Sequence, residues 1–283
     1  MFKVNVFASA LLVVISVTVG TAQDGSQPVT RTDENSRIAH TQLLDKARRG
    51  GIDVYFEGDS ITRRWGTSDT AYREFFDHWT RSFFGWNAAN FGWGGDTVQN
   101  ILWRLTDGEL DEAHPKVIVL MAGTNNVGGM PREGVDAAVV ENVASGMKAV
   151  LDVMQRKAPD ATVILMGITP RTDSRGGASV MPTIDAINEW YARLADGRKI
   201  RYVNINAQLA PAHGTPREGV TMDGLHLSLS GYQVWADALT PIFTELLGPP
   251  ASTDHAPPPT GDPSASAAPT GDPSAASSRS PTR

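Results

Sequence analysis

Four short polar stretches of the 283-residue chain carry side chains suited to acyl transfer. The first, Glu57-Gly58-Asp59-Ser60, ends in a hydroxyl, and the last, Asp223-Gly224-Leu225-His226, pairs a carboxylate with an imidazole. A serine hydroxyl is a poor nucleophile at neutral pH and needs a neighbouring base to take its proton during attack. His226 suits that task, because imidazole titrates near working pH and can return the proton to a leaving alcohol. Asp223, close enough on one turn, suits the group that accepts the other ring proton, fixes the tautomer and stabilises the imidazolium. A tetrahedral intermediate also needs donors set in place for its oxyanion. The backbone N–H groups of Ser60 and Gly95 and the side-chain amide of Asn125 are the natural three. Gly95 lies in Gly92-Trp93-Gly94-Gly95-Asp96 and Asn125 in Gly123-Thr124-Asn125-Asn126. Glycine at 95 lets the backbone approach a substrate with no Cβ in the way.

Each stretch alone has a plainer reading. Ser60 can cap a short helix, Gly94-Gly95-Asp96 can be an ordinary turn, and Asn125-Asn126 can bond a loop backbone. Asp223 and His226 can form a local capping pair. The glycines at 92 and 94 do not complete a dinucleotide fingerprint, since Thr97 stands at its last glycine position. Joint occurrence, in an order that completes one reaction, is what favours chemistry.

The elements around these stretches place them together. Near-continuous apolar runs predict strands over 116–121 and 162–166, with further strands over 52–56, 87–91 and 200–204. Helical spacing of apolar residues predicts helices over 97–105, 136–157, 183–196 and 230–247, the last ending before Gly248-Pro249-Pro250. Strand–helix alternation predicts an α/β fold, a three-layer α/β/α sandwich around a parallel sheet. Each polar stretch then falls beyond the carboxyl end of a strand or just before the last helix, where such sheets bind ligands.

Composition narrows the partners. Lys and Arg number 25 against 31 Asp and Glu, a net charge of −6. No basic patch is dense enough to release the counterions of nucleic acid, which is excluded as a partner. The chain has no cysteine, which excludes thiolate metal sites, a cysteine nucleophile and a disulfide scaffold. Residues 1–22 read as a signal peptide: a basic start, an apolar run from Val6 to Val19, and small residues before a cut after Ala22. An uncleaved anchor is the alternative, but the run falls short of the ~20 residues that span a bilayer. The chain is therefore expected to be secreted or periplasmic, with no stable membrane insertion after cleavage. Residues 23–36 read as a polar lead-in, 37–248 as one domain, and 249–283 as a disordered tail rich in Pro, Ser, Ala and Thr. A short duplicate, Pro-Thr-Gly-Asp-Pro-Ser-Ala, starts at Pro259 and again at Pro269 in that tail.

Gly58-Asp59-Ser60, Gly95, Gly123-Thr124-Asn125 and Asp223-x-x-His226 resemble the four blocks of the GDSL/SGNH hydrolase superfamily. The run from Asn90 to Thr97, with Leu102-Trp-Arg-Leu105 and 116–126, is similar to the catalytic subunits of the platelet-activating-factor acetylhydrolases and their bacterial relatives. The likeness extends from about Val54 to Leu239. It implies a flavodoxin-like sheet of five parallel strands and a serine esterase needing neither metal nor organic cofactor. It implies Ser60 as nucleophile, His226 as base, Asp223 as its orienter, and Ser60, Gly95 and Asn125 as oxyanion donors. No Gly-x-Ser-x-Gly elbow surrounds Ser60, which disfavours the larger α/β-hydrolase fold. Ile61 and Leu225 flank nucleophile and base, and are expected to shorten the acyl pocket unless both are plain core residues. Trp93, Arg171 and the loop 172–181 are expected at the mouth of the site. The expected substrate is a small ester or an acetylated glycan. A lipid hydrolase of the lysophospholipase or thioesterase type, and a binding protein without chemistry, are the alternatives.

Overall fold

The computed structural model describes residues 24–128, 134–173, 180–211 and 216–266. The expected signal peptide lies outside them. The described chain is the expected α/β/α sandwich around five parallel strands: β1 (Val54–Gly58), β2 (Ala88–Asn90), β3 (Val117–Met121), β4 (Thr162–Met166) and β5 (Ile200–Val203). Their order is β2-β1-β3-β4-β5. Every neighbouring pair is parallel, with Val54 opposite both Ala88 and Val117. The chain leaves β1 towards one edge and returns on its other side at β3. Connections therefore diverge at this point, and a crevice opens beyond the carboxyl ends of β1 and β3.

Two aliphatic and aromatic layers close the faces. Successive strand residues point to opposite sides, so Tyr55, Ile118, Leu120, Val163 and Leu165 join one cluster and Phe56, Val119, Met121, Ile164 and Met166 the other. The first cluster meets α1 (Glu34–Arg48), α4 (Val98–Arg104), α6 (Ala137–Lys157) and α7 (Met181–Leu194). The second meets α2 (Ser60–Trp65), α3 (Arg73–Phe83) and α9 (Leu229–Leu247). The two remaining short helices of the site edge are α5 (Thr124–Val127) and α8 (Asn206–Leu209). The second layer is dense in aromatic rings. Phe56 meets Trp79 at 4.5 Å and Phe83 at 5.0 Å between ring centres, and Trp65 stacks on Tyr232 at 4.8 Å. With no cysteine in the chain, such packing supplies the cohesion.

Helices α1 and α3 were not among the expected elements, and α1 begins at Glu34. Its sequence is polar, and it buries Ser36, His40 and Lys46 beside Ala39, Leu43 and Ala47. A hydrophobic pattern alone underweights such a helix. Beyond α9 the chain runs on against the domain, with Ala251 N donating to Gly85 O at 2.9 Å and Gly85 N to Asp254 at 2.8 Å. Further on, Thr260 O accepts from Ser68 N and Thr67 Oγ1, and Asp262 accepts from Asn35 at 2.9 Å. The packed chain thus extends through residues expected to belong to a disordered tail from Pro249. Hydrogen bonds to fixed backbone groups, rather than apolar burial, hold this proline-rich stretch.

One charge cluster lies beneath the site edge. The Arg104 guanidinium, 1% exposed, bonds Asp96 through Nε at 2.8 Å, Glu57 through Nη2 at 2.5 Å, and Glu109 through Nη1. Glu109 also meets His40 Nδ1 at 2.9 Å, and Tyr55 donates to Glu57 and Glu109. Burial pushes the Glu57 carboxyl up to about 8 against the pull of Arg104. Removing the guanidinium would leave Asp96 and Glu109 buried without their cation. Arg104→Met is expected to cost about 3–5 kcal/mol of unfolding free energy, read from the chemical-denaturation midpoint. A variant as stable as the parent would show that the cluster is not needed for the fold.

Candidate active site

Ser60 opens α2 at the carboxyl end of β1. Asp59 caps that helix, its Oδ1 accepting from Ile61 N at 2.9 Å. The cap uses the N–H of the second helical residue, and the Ser60 N–H of the first turn has no acceptor within the helix. Asp59 is buried, and desolvation pushes its carboxyl up to about 7.

The turn before α9 brings the imidazole to this hydroxyl. Thr221 bridges Leu227, and Met222 N donates to His226 O at 2.8 Å, which closes a tight loop around Asp223 and Gly224. Within it Asp223 Oδ1 accepts from the backbone N–H of His226 at 2.8 Å and of Leu225 at 3.1 Å. Its Oδ2 lies 2.7 Å from His226 Nδ1, and His226 Nε2 lies 3.0 Å from Ser60 Oγ. Hydroxyl, imidazole and carboxylate therefore form one continuous hydrogen-bonded line across 166 residues of sequence. Burial pushes His226 below the usual imidazole value, Asp223 works against that, and the cations of Arg64 and Arg171 add to it. Burial would raise Asp223, but the donors of His226 and Leu225 outweigh it and hold the carboxyl below its ordinary value. The base is thus neutral and its partner ionised at neutral pH.

The other two stretches meet through Asp96. Its carboxylate is held by Arg104, and its backbone O accepts from Asn125 Nδ2 at 2.8 Å. A primary amide has two donor hydrogens, so this bond fixes the Asn125 side chain and leaves its second hydrogen for a ligand. Gly123, at φ +118°, starts the Asn125 turn, and a Cβ there would lie 2.7 Å from Ile168. Gly95 sits at φ +79°, a conformation that favours glycine.

Two residues expected at the mouth are almost fully buried. Trp93 is 7% exposed, donates to Ser36 Oγ at 2.8 Å and lies under the Arg63 guanidinium. Arg171 is 3% exposed and donates to Thr124 O at 2.8 Å and Asp173 at 2.7 Å. Both brace the loops of the site from behind, because their polar ends find fixed partners there. Thr172 N donates to Gly224 O at 2.7 Å, so the same segment steadies the acid–histidine turn. The rest of the loop expected at the mouth, 174–179, lies outside the described residues. Ile61 is 1% exposed in the aromatic cluster, and Leu225 packs partly buried against it. The sequence reading assigned no role to Glu57, Arg64, Arg104 or Glu109. A glutamate inside the otherwise apolar β1 was the available signal, because a carboxylate in a strand covered on both faces requires a buried cation.

A family model for GDSL-like lipases and acylhydrolases matches residues 56–234. The chain belongs to this family. It is a hydrolase of ester substrates, with the five-stranded fold expected from its motifs. It is 30% identical over 228 residues to the bovine platelet-activating factor acetylhydrolase IB subunit alpha1, covering 79% of this chain and 89% of that protein. The human subunit alpha1 is 31% identical over 212 residues, covering 74% and 82%. Among solved structures, a GDSL-like lipase from Bacteroides thetaiotaomicron aligns with a TM-score of 0.56 at 21% identity, covering 76% of this chain and 98% of that one. A lipolytic G-D-S-L family protein from Veillonella parvula aligns with a TM-score of 0.53 at 22% identity, covering 69% and 100%. These two likenesses concern the fold.

The electrostatics of the GDSL-family site make one measurable statement. Arg64 Nη1 lies 3.7 Å from Asp223 Oδ2 and its charge disfavours imidazolium. His226, followed by the NMR shifts of its ring, is expected to titrate below the usual imidazole range. Arg64→Ala is expected to move that midpoint upward. A midpoint unmoved or lowered would contradict the assigned coupling.

Proposed function

We propose that the protein is a secreted or periplasmic serine esterase that removes short acyl groups, acetyl above all, from small esters or acetylated glycans. The observation that carries the mechanism is the line from Ser60 Oγ through His226 to Asp223, at 3.0 Å and 2.7 Å. His226 Nε2 takes the Ser60 proton as Oγ attacks the acyl carbon. The carbonyl oxygen becomes an oxyanion between the N–H groups of Ser60 and Gly95 and the amide of Asn125. The imidazolium, stabilised by Asp223, gives its proton to the departing alcohol and leaves an acyl-serine. A water then enters, His226 takes its proton, and the second tetrahedral intermediate collapses to the free acid and Ser60.

Three features support the acyl preference and the compartment. The mammalian relatives are named acetylhydrolases. Ile61 and Leu225, which flank the nucleophile and base, pack in one apolar layer. Residues 1–22 carry the pattern of an export signal. The low histidine value also fits a base ready at neutral pH.

The experiment is acetate release from a panel of small esters and acetylated glycans, with fluorophosphonate labelling alongside. Ser60→Ala is expected to lose both turnover and label. Equal labelling of parent and variant would sink the nucleophile assignment and leave a binding protein as the better reading. Asn125→Ala is expected to lower kcat by about 100- to 1,000-fold, roughly 3–4 kcal/mol of transition-state stabilisation, with its denaturation midpoint little changed. A kcat within a few-fold of the parent would remove Asn125 from the oxyanion donors.

A further inference from the structure

The stretch before α1, expected to be a polar lead-in, lies along the outer side of the Gly95 loop. Gln99 Nε2 donates to Gly25 O at 3.0 Å, Val29 N donates to Gln99 O at 3.0 Å, and Asn100 Nδ2 donates to Val29 O at 2.8 Å. These bonds fix an arm against the start of α4. The arm delivers Arg31, whose Nη1 donates to Gly94 O at 3.1 Å and to Asp96 Oδ1 at 2.9 Å. Its Nε meets Asp33 at 3.2 Å, on the residue that caps α1.

We propose that Arg31 is a positioning residue for the oxyanion donors, acting from outside the matched stretch 56–234. The inference rests on the serine-esterase reading above. Its physical basis is the planarity of the peptide group. Gly94 O and Gly95 N–H belong to one trans peptide and point in opposite directions. Holding the oxygen on the Arg31 side therefore aims the N–H to the other side. Ser60 is the neighbour across that loop: a Cβ added to Gly94 would lie 4.0 Å from the Ser60 Cβ, whereas one added to Gly95 would lie 3.5 Å from Arg31 Nη1. The loop thus runs between nucleophile and guanidinium. The cation also draws electron density towards Gly94 O, which strengthens the N–H as a donor.

Arg31 reaches the third donor as well. Asp96 is gripped by Arg31 through one carboxylate oxygen and by Arg104 through the other. The backbone oxygen of this same residue holds the Asn125 amide. One guanidinium therefore fixes the orientation of a backbone N–H and, one residue further on, of a side-chain amide. Its side chain is 24% exposed and can be exchanged without opening the core.

The test is steady-state hydrolysis of an acetyl ester by the full-length protein, with Ser60→Ala as the reference for background. Arg31→Ala is expected to lower kcat by about 10- to 100-fold while KM stays within about twofold, since misaimed donors weaken only the transition state. Arg31→Lys, which keeps the charge but replaces the fork with one nitrogen, is expected about 3- to 10-fold below the parent. The pH midpoint of the rate should not move, because the His226 line is untouched. Arg31→Ala combined with Asn125→Ala should lose less than the product of the single effects, as both disable one cradle. Parental kcat in both Arg31 variants, or a loss confined to KM, would overturn the proposal. If the alanine variant does not fold, the lysine variant decides alone: parental kcat there overturns it. A parent no faster than Ser60→Ala would instead remove the serine-esterase reading on which the proposal stands.

Discussion

The site depends on a buried cation that cannot be left without its anions. Arg104 sits beneath the loops that follow β1 and β2, and its guanidinium bonds carboxylates from three separate parts of the chain. Desolvating a guanidinium costs several kcal/mol, and only well-placed partners offset that cost. Glu57 immediately precedes Gly58-Asp59-Ser60, Asp96 immediately follows Gly95, and Glu109 closes the turn after α4. The guanidinium geometry therefore fixes the distance between the segment that carries the hydroxyl and the segment that carries a backbone donor. Burial raises the Glu57 carboxyl while the Arg104 charge lowers it.

The two halves of the site obey different physics. The half around Asp96 is built on dry, interlocked charge: Asp96 is buried and held on both carboxylate oxygens, and its backbone positions Asn125. Such an arrangement is stiff, as the proposed oxyanion cradle must be if its donors are to need no reorganisation when charge develops. The half around Asp223 and His226 sits at the surface. The Asp223 side chain is 48% exposed and its fixed geometry comes from the backbone N–H groups of its own turn. The donors of His226 and Leu225 keep the carboxylate ionised against its partial burial, while desolvation keeps the imidazole, 12% exposed, neutral. Hydrogen bonds to one partner and burial of the other thus separate their protonation states.

How much of this was legible in the sequence follows from what each residue does. Ser60, Gly95, Asn125, Asp223 and His226 were visible because they are polar residues in glycine-rich breaks between strongly patterned elements. The strands 162–166 and 116–121 were legible for a related reason: a strand covered on both faces favours an apolar run, and these carry one from Val163 to Met166 and from Val117 to Met121. Trp93 and Arg171, expected at the mouth, are buried with their polar ends on Ser36 and Thr124. Whether such a side chain faces a ligand or a carbonyl depends on the neighbouring loop, which the local sequence does not encode. Arg104 was hidden by its setting in a helix whose other residues look like an ordinary amphipathic face. Its three partners lie 5, 8 and 47 residues away.

The two ends of the described chain are held in one shared way, and it bears on how the site is held. Both are poor in apolar residues, and burial of apolar surface is what patterning detects. Both are instead fastened by hydrogen bonds to groups the domain already holds rigid. Asp262, from the C-terminal stretch, accepts from Asn35 of α1 and lies 3.8 Å from Arg63, whose Nη2 pairs with Asp69 at 2.5 Å. Arg63 is one turn along α2 from Ser60 and covers the ring of Trp93. The N-terminal arm reaches the same neighbourhood from the other side, through Ser36 to Trp93 and through Arg31 to Gly94. Each bond of this kind contributes only about 1 kcal/mol net, because water would satisfy the same groups in the unfolded chain. Their effect is geometric rather than large: they remove the freedom of the nucleophile helix and the glycine loop to move independently. The polar ends thus act where apolar packing cannot, on a surface that must stay open to substrate.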